Sequence, residues 1–134
     1  MLLWHMRYSM QNVNVWRQFP ASTRLTNELM LQQRAAHKYH SPLLWTNTCC
    51  SHQRPGETTL IAAERRLKEE MGLTSKLQPG FRFIYKAKLD QDLTEHELDH
   101  VVFGCSDQIP QINPDEVAAY KWIGLSELLQ DLKN

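Results

Sequence analysis

Apolar positions between 58 and 71 recur at steps of three and four, at Leu60, Ala63, Leu67 and Met71. That period predicts an amphipathic helix with one buried stripe. Gly72 follows where a left-handed C-terminal cap belongs, and Arg66 and Glu70 share another face one turn apart. Elsewhere the pattern is strand-like. Leu29 to Gln33 predicts a strand running into Arg34, and Phe81 to Leu89 is rich in strand formers, with Phe81, Phe83, Tyr85 and Ala87 on one face. Thr94 to Cys105 and Ala118 to Ile123 read as further strands, and Ser126 is expected to cap a last helix through Leu132. Before residue 24 the pattern is weak. Asn12 to Trp16 alternates like a short strand, in surroundings without a consistent period. Turns are expected at Asn27–Glu28 and at Asp90, Gln91 and Asp92. Residues 74–80 form a connector, 35–40 a polar loop closed by Ser41 and Pro42, and 113–116 a helix cap or a simple turn.

Length and charge narrow the function classes. A chain of 134 residues is one domain, long enough to bury a core without staples. Its formal net charge of +0 gives no electrostatic footprint for nucleic acid, so none is expected as a partner. No apolar run approaches a membrane span, and the first six residues are too short and interrupted for a signal peptide. Three cysteines, two of them adjacent, make neither a disulfide framework nor a zinc ribbon, which favours a reducing, cytoplasmic location.

The chemistry-bearing residues fall in two clusters. In the first, Cys50 and His52 are two apart, so in extended chain they share a face, while Cys49 points the other way as a small buried hydrophobe. A nearby metal or cationic group would lower the Cys50 pKa and raise its reactivity. Arg34 and Lys38 flank the polar loop. Taken alone they read as two solvated charges, although an Arg fork and a Lys point charge also suit a phosphate clamp. The second cluster, His96-Glu97-Leu98-Asp99-His100, spells the H-E-x-x-H of zinc proteases. That motif works only on a helix, and the β-rich residues 101–105 that follow argue for a strand instead. On a strand Glu95, Glu97 and Asp99 share a face, either a solvated edge or the oxygen half of a metal site. Tyr85 is either a core tyrosine with a satisfied hydroxyl or a residue of the site.

Aligned on Gly72, the helix resembles a Nudix box, Gly-x5-Glu-x7-Arg-Glu-U-x-Glu-Glu-x-Gly-U. Glu57, Arg65, Leu67, Glu69, Glu70, Gly72 and Leu73 are in register, with Ser51 replacing the first glycine and Arg66 the glutamate after the arginine. The Arg66 change, together with Trp45-Thr46-Asn47-Thr48-Cys49-Cys50-Ser51-His52 upstream, is similar to type 1 isopentenyl-diphosphate isomerases. The similarity runs from about residue 29 to the end, leaving 1–28 as an unmatched segment before a single Nudix-like domain at 29–134.

The resemblance implies an α/β (α+β) fold, a mixed sheet with the box helix packed against it. It implies interconversion of isopentenyl and dimethylallyl diphosphate by metal-assisted proton transfer, a step of isoprenoid biosynthesis. Cys50 would act on one side of the alkene and Glu97 with Tyr85 on the other. His52, Glu95 and Glu97 would hold Zn2+ or Mn2+ (or Mg2+), and Glu70 would meet a Mg2+ that also binds the diphosphate. Arg34, Lys38 and Arg66 would bind its oxygens. The family also places two metal-binding histidines on an N-terminal strand, where this chain offers only His5 before His37, and His5 is not assigned to either. Without that strand a sheet edge would be exposed. A C-terminal segment carrying a tryptophan is likewise unmatched. The alternatives are a Nudix-type diphosphate hydrolase, and a truncated, inactive isomerase remnant.

Overall fold

The computed structural model describes residues 9–21, 24–39, 41–88 and 94–133. In chain order the elements are β1 (Ser9–Ala21), β2 (Arg24–Arg34), β3 (Trp45–Thr46), β4 (Cys49–His52), α1 (Thr59–Met71), β5 (Gln78–Lys88), β6 (Thr94–Cys105), β7 (Val117–Gly124) and α2 (Leu125–Lys133). Among the described residues the strands form one mixed sheet in the order β3-β2-β1-β6-β5, with β4 beside β1 and β7 beside β2. The β1–β6 pairing is parallel and the others are antiparallel. The architecture is that of the α+β class.

Strand β1 lies within segment 1–28, which the sequence similarity leaves unmatched. It sits at the centre of the sheet, paired with β2, β4 and β6, so no edge is exposed there. Its alternation explains the position: Gln11, Val13 and Val15 are buried, while Asn12, Asn14 and Trp16 are half-buried on the other face. The expected turn at Asn27–Glu28 is not found. Both residues continue β2, where Glu28 pairs with Arg17 and takes its guanidinium at 2.9 Å. A cross-strand ion pair outweighs the weak strand preference of Asn27. His5 and the expected turn at Asp90, Gln91 and Asp92 lie outside the described residues.

Helix α1 starts at the Thr58 cap, whose hydroxyl accepts the Ile61 N–H at 3.2 Å, and ends at Gly72 with φ 65°. Its stripe of Ala63, Leu67 and Met71 packs on Val13, Val15, Met30, Cys49, Val102 and Val117. On the opposite face Leu29, Leu31 and Ile123 meet Trp16 and Leu128 of α2. Burying a side chain the size of Leu67 contributes about 2 kcal/mol, so the α1 stripe is the main anchor of the helix. Residues 113–116 form a turn rather than a helical start. Ser126 lies inside α2, one residue after its start, rather than capping it. Strand β5 begins at Gln78, so the connector is shorter than expected, and Gly80 sits at a bulge where a Cβ would lie 2.2 Å from the Phe103 ring.

Candidate active site

The site is built where β1 and β2 part. Their ladder runs from Ala21–Arg24 to Trp16–Leu29 and then stops. Thr48 fills the gap: its hydroxyl accepts the Val15 N–H at 2.9 Å and donates to the Met30 carbonyl at 2.7 Å. Gln32 Nε2 donates to the Thr48 carbonyl at 2.7 Å. A buried threonine thus satisfies two backbone groups that strand separation would otherwise orphan. The next residues are locked into β4 as a consequence.

Along β4 burial alternates. Cys49 and Ser51 are buried, Cys50 is half-buried and His52 is exposed. The period-two expectation therefore holds, with Cys49 in the core and Cys50 on the other face beside Asn12 of β1. The Cys50 Sγ lies 3.1 Å from Asn47 Oδ1 and 3.3 Å from Asn12 Oδ1. Burial pushes its thiol from 9.0 to about 12, the Glu70 charge adds to this, and the Asn47 contact and the Arg34 charge oppose it. Desolvation exceeds the lowering by the Arg34 charge and the Asn47 contact, so these side chains alone do not activate the thiol. At neutral pH the sulfur holds its proton.

Cys50 opens on a cleft of about 280 Å³ lined also by Gln32, Arg34, Lys38, Glu70 and Glu116. Glu70, 5% exposed, accepts from Gln32 Nε2 at 2.8 Å and from Arg66 Nη2 at 2.5 Å. Burial raises its pKa, Gln32 and Arg66 oppose this, and Glu116 adds to it. Arg66 also bonds Glu69 at 2.7 Å and approaches Glu116 at 3.4 Å. Lys38 Nζ donates to Glu116 Oε2. Arg34 lines the cleft with a buried Nε that has no hydrogen-bond partner among the described residues.

The other box residues hold the loop. Arg65 grips Glu57 through Nε at 2.7 Å and Nη2 at 3.0 Å, and donates to the His52 carbonyl at 3.1 Å. The hydrogen bond from Arg65 is the chief reason that the Glu57 pKa is lowered. The bidentate grip fixes Glu57 of the loop to α1, and the bond to the His52 carbonyl ties the end of β4 to the same helix.

The H-E-x-x-H residues lie on β6, so the helical zinc-protease arrangement is excluded. Tyr85 is registered opposite Glu97, and Ala87 opposite Glu95. The side chains of Tyr85, Glu95 and Glu97 lie outside the described residues. His52 is registered with Met10, and Met10 with Asp99, so β1 separates His52 from the Glu95 and Glu97 strand. Among the described residues no three His, Cys, Asp or Glu side chains are grouped as a metal site. Glu70 offers a hard carboxylate donor of the kind a magnesium-like cation takes, paired here with Gln32 and Arg66.

The structure thus brings Cys50, Glu70, Arg34 and Lys38 into one cleft and joins Arg66 to it through Glu70 and Glu116. His52 does not line it. Sequence reasoning missed Gln32, Thr48, Asn47 and Glu116. Thr48 and Asn47 stand within the motif already noted, whereas nothing near Glu116 marks it out.

The Nudix domain family profile matches residues 11–134. The chain is 58% identical over 103 residues to the isopentenyl-diphosphate Delta-isomerase of Pectobacterium atrosepticum, covering 77% of this chain and 58% of that protein. It is 53% identical over 107 residues to isopentenyl-diphosphate Delta-isomerase 2 of Aromatoleum aromaticum, covering 80% and 57%. The chain therefore spans somewhat more than half the length of these relatives. Among solved structures, a Deinococcus radiodurans protein superimposes with TM-score 0.71 at 18% identity, covering 98% of this chain and 80% of that one. The Nudix domain of Shewanella oneidensis NrtR, solved with ADP ribose, gives 0.68 at 16%, covering 90% and 75%. At such identities these two show the fold alone. The box residues, the mixed sheet and the profile agree that the chain belongs to the Nudix domain family.

Proposed function

We propose that this domain interconverts isopentenyl and dimethylallyl diphosphate. The observation that carries the reading is Cys50 sharing one cleft with Arg34, Lys38 and Glu70. The two relatives described above bear the isomerase name. Moving an unactivated double bond requires a proton added to one terminal carbon and another removed from the far side, through a tertiary carbocation. Such a reaction needs an acid and a base on opposite faces of the alkene and a site that excludes water.

Cys50 holds a proton at Sγ on one face, and Glu97 with Tyr85 serves the other. Arg34, Lys38 and Arg66 bind the diphosphate oxygens and so orient the alkene. Glu70 would hold a Mg2+ shared with the diphosphate, and His52, Glu95 and Glu97 a Zn2+, Mn2+ or Mg2+. When bound, such a cation neutralises diphosphate charge and tunes the proton affinity of a bound carboxylate. Free Cys49, Cys50 and Cys105 suit a reducing cytoplasm. Among the described residues no helix is long and apolar enough to cross a membrane.

Hydrolysis of a nucleoside-diphosphate compound is the second reading. Arg66 opposes it, because its guanidinium stands among Glu69, Glu70 and Glu116 and would repel a clustered magnesium. Proton NMR with isopentenyl diphosphate, magnesium and zinc in D2O decides among the readings. Deuterium uptake and dimethylallyl product should appear, and should fall by about 10²–10⁴-fold in Cys50→Ser. Efficient pyrophosphate release from nucleoside diphosphates would favour the hydrolase. A folded protein that does neither is an inactive remnant.

A further inference from the structure

The cations of the cleft are not equally free. Arg34 presents a buried Nε without a partner among the described residues. Lys38 and Arg66, by contrast, already share one anion: the same Glu116 Oε2 accepts from Lys38 Nζ and stands 3.4 Å from Arg66 Nη2. Glu116 comes from the turn before β7, far along the chain. Its backbone is fixed independently of its side chain, through its carbonyl to the Ala35 N–H at 3.2 Å and its own N–H to the Asn113 carbonyl at 3.0 Å. The contact to Ala35 docks the turn directly beside Arg34. A carboxylate is therefore held where it caps two of three anion-binding groups.

We propose that Glu116 is the specificity-determining residue of this subsite, an internal anion standing where one phosphoryl group binds, so that the cleft takes a diphosphate in preference to a monophosphate. A single phosphate can bind Arg34, but to gain Lys38 or Arg66 it must displace Glu116. A diphosphate engages Arg34 with one phosphoryl group and uses the second to replace the carboxylate, which keeps both cations paired throughout. Displaced, Glu116 swings toward solvent, since it is already one quarter exposed. This inference rests on the diphosphate assignment made above.

The test is calorimetric titration of the whole protein with inorganic diphosphate and with inorganic phosphate. EDTA is present, so that only side-chain cations compete. Glu116→Gln keeps the size and backbone contacts and removes the charge. It should bind inorganic phosphate about tenfold more tightly, with a smaller gain for diphosphate, so the preference for diphosphate shrinks. Glu116→Asp, which restores the charge, should return the preference toward the starting value. An unchanged or weakened affinity of Glu116→Gln for phosphate overturns the proposal, as does a starting protein without preference. Failure of the isomerase reading looks different: no deuterium uptake, with the anion preference and its loss in Glu116→Gln intact.

Discussion

The Cys50 sulfur lies 3.1 Å from the side-chain amide oxygen of Asn47, a contact that draws its pKa down against the stronger lift from burial. Desolvation, rather than that contact, holds the sulfur in the thiol form. With the pKa raised from 9.0 to about 12, thiolate is roughly a thousandfold scarcer than in the unfolded chain, and greater intrinsic nucleophilicity recovers only part of that. Iodoacetamide at pH 7.5 should label Cys50 about 50-fold more slowly in the folded protein than in urea, read by peptide mass spectrometry. Exposed Cys105 should label first. Preferential native labelling of Cys50 would mean an activated thiolate and a wrong account. Because the folded pKa is the higher one, the thiol's contribution to stability is complete below pH 9 and is lost as pH rises toward about 12.

Arg66 is the counter-charge of a carboxylate that burial disfavours. Replacing it by Gln leaves Glu70, 5% exposed, with the Gln32 hydrogen bond as its one remaining side-chain partner among the described residues. The Glu70 pKa should rise further, and stability at pH 7 should fall by about 1–3 kcal/mol. The penalty weakens in acid. Glu70 already has a raised folded pKa, so its ionised form costs stability as pH rises through that value. The penalty for Arg66→Gln must therefore shrink as pH falls and Glu70 takes a proton. Urea melts at pH 7 and pH 4.5 in EDTA compare the two, and a gap that widens in acid sinks the argument.

Thr48 is the third test. Thr48→Val keeps the shape and removes the hydroxyl, leaving the Val15 N–H and the Met30 carbonyl buried without their 2.9 and 2.7 Å partners. The expected loss is about 2–4 kcal/mol, with faster hydrogen exchange at Val15. If exchange quickens only at distant amides, Thr48 is not the wedge.

These residues also show what the sequence disclosed. The α1 stripe, its Gly72 stop and the opposed faces of Cys49 and Cys50 were legible because they rest on local periods. The strand nature of residues 94–105 was legible too, from β-branched composition, and it removed the zinc-protease alternative. Strand β1 was legible only at 12–16, where Asn12 and Asn14 alternate with the buried Val13 and Val15, because its flanks carry no period to extend it. Glu116 and Gln32 could not be found locally. Their importance comes from chain segments brought together over dozens of residues: Gln32 meets Glu70, and Glu116 meets Lys38, only in the folded sheet.

Gly72 joins the box helix to the turn that carries Glu116, and its substitution separates two costs. Its φ of 65° is left-handed, and its N–H closes the helix on the Lys68 carbonyl at 3.0 Å. A Cβ there would also lie 2.7 Å from both the Cβ and the carbonyl oxygen of Gln111. Gln111 cannot retreat cheaply, because its N–H is bonded to the Met71 carbonyl at 2.8 Å and the nearby Asn113 N–H to the Glu70 carbonyl at 2.9 Å. Gly72→Ala should therefore cost about 3 kcal/mol, of which the left-handed conformation accounts for roughly 1. Gly72→Asn tolerates that conformation better but carries the same Cβ. If the close approach dominates, urea midpoints of the Asn and Ala variants will nearly coincide, and both will loosen the anion preference of the cleft by shifting residues 111–116. If Asn instead regains most of the loss, the glycine serves the helix cap alone, and the coupling of α1 to Glu116 through Gln111 is disproved.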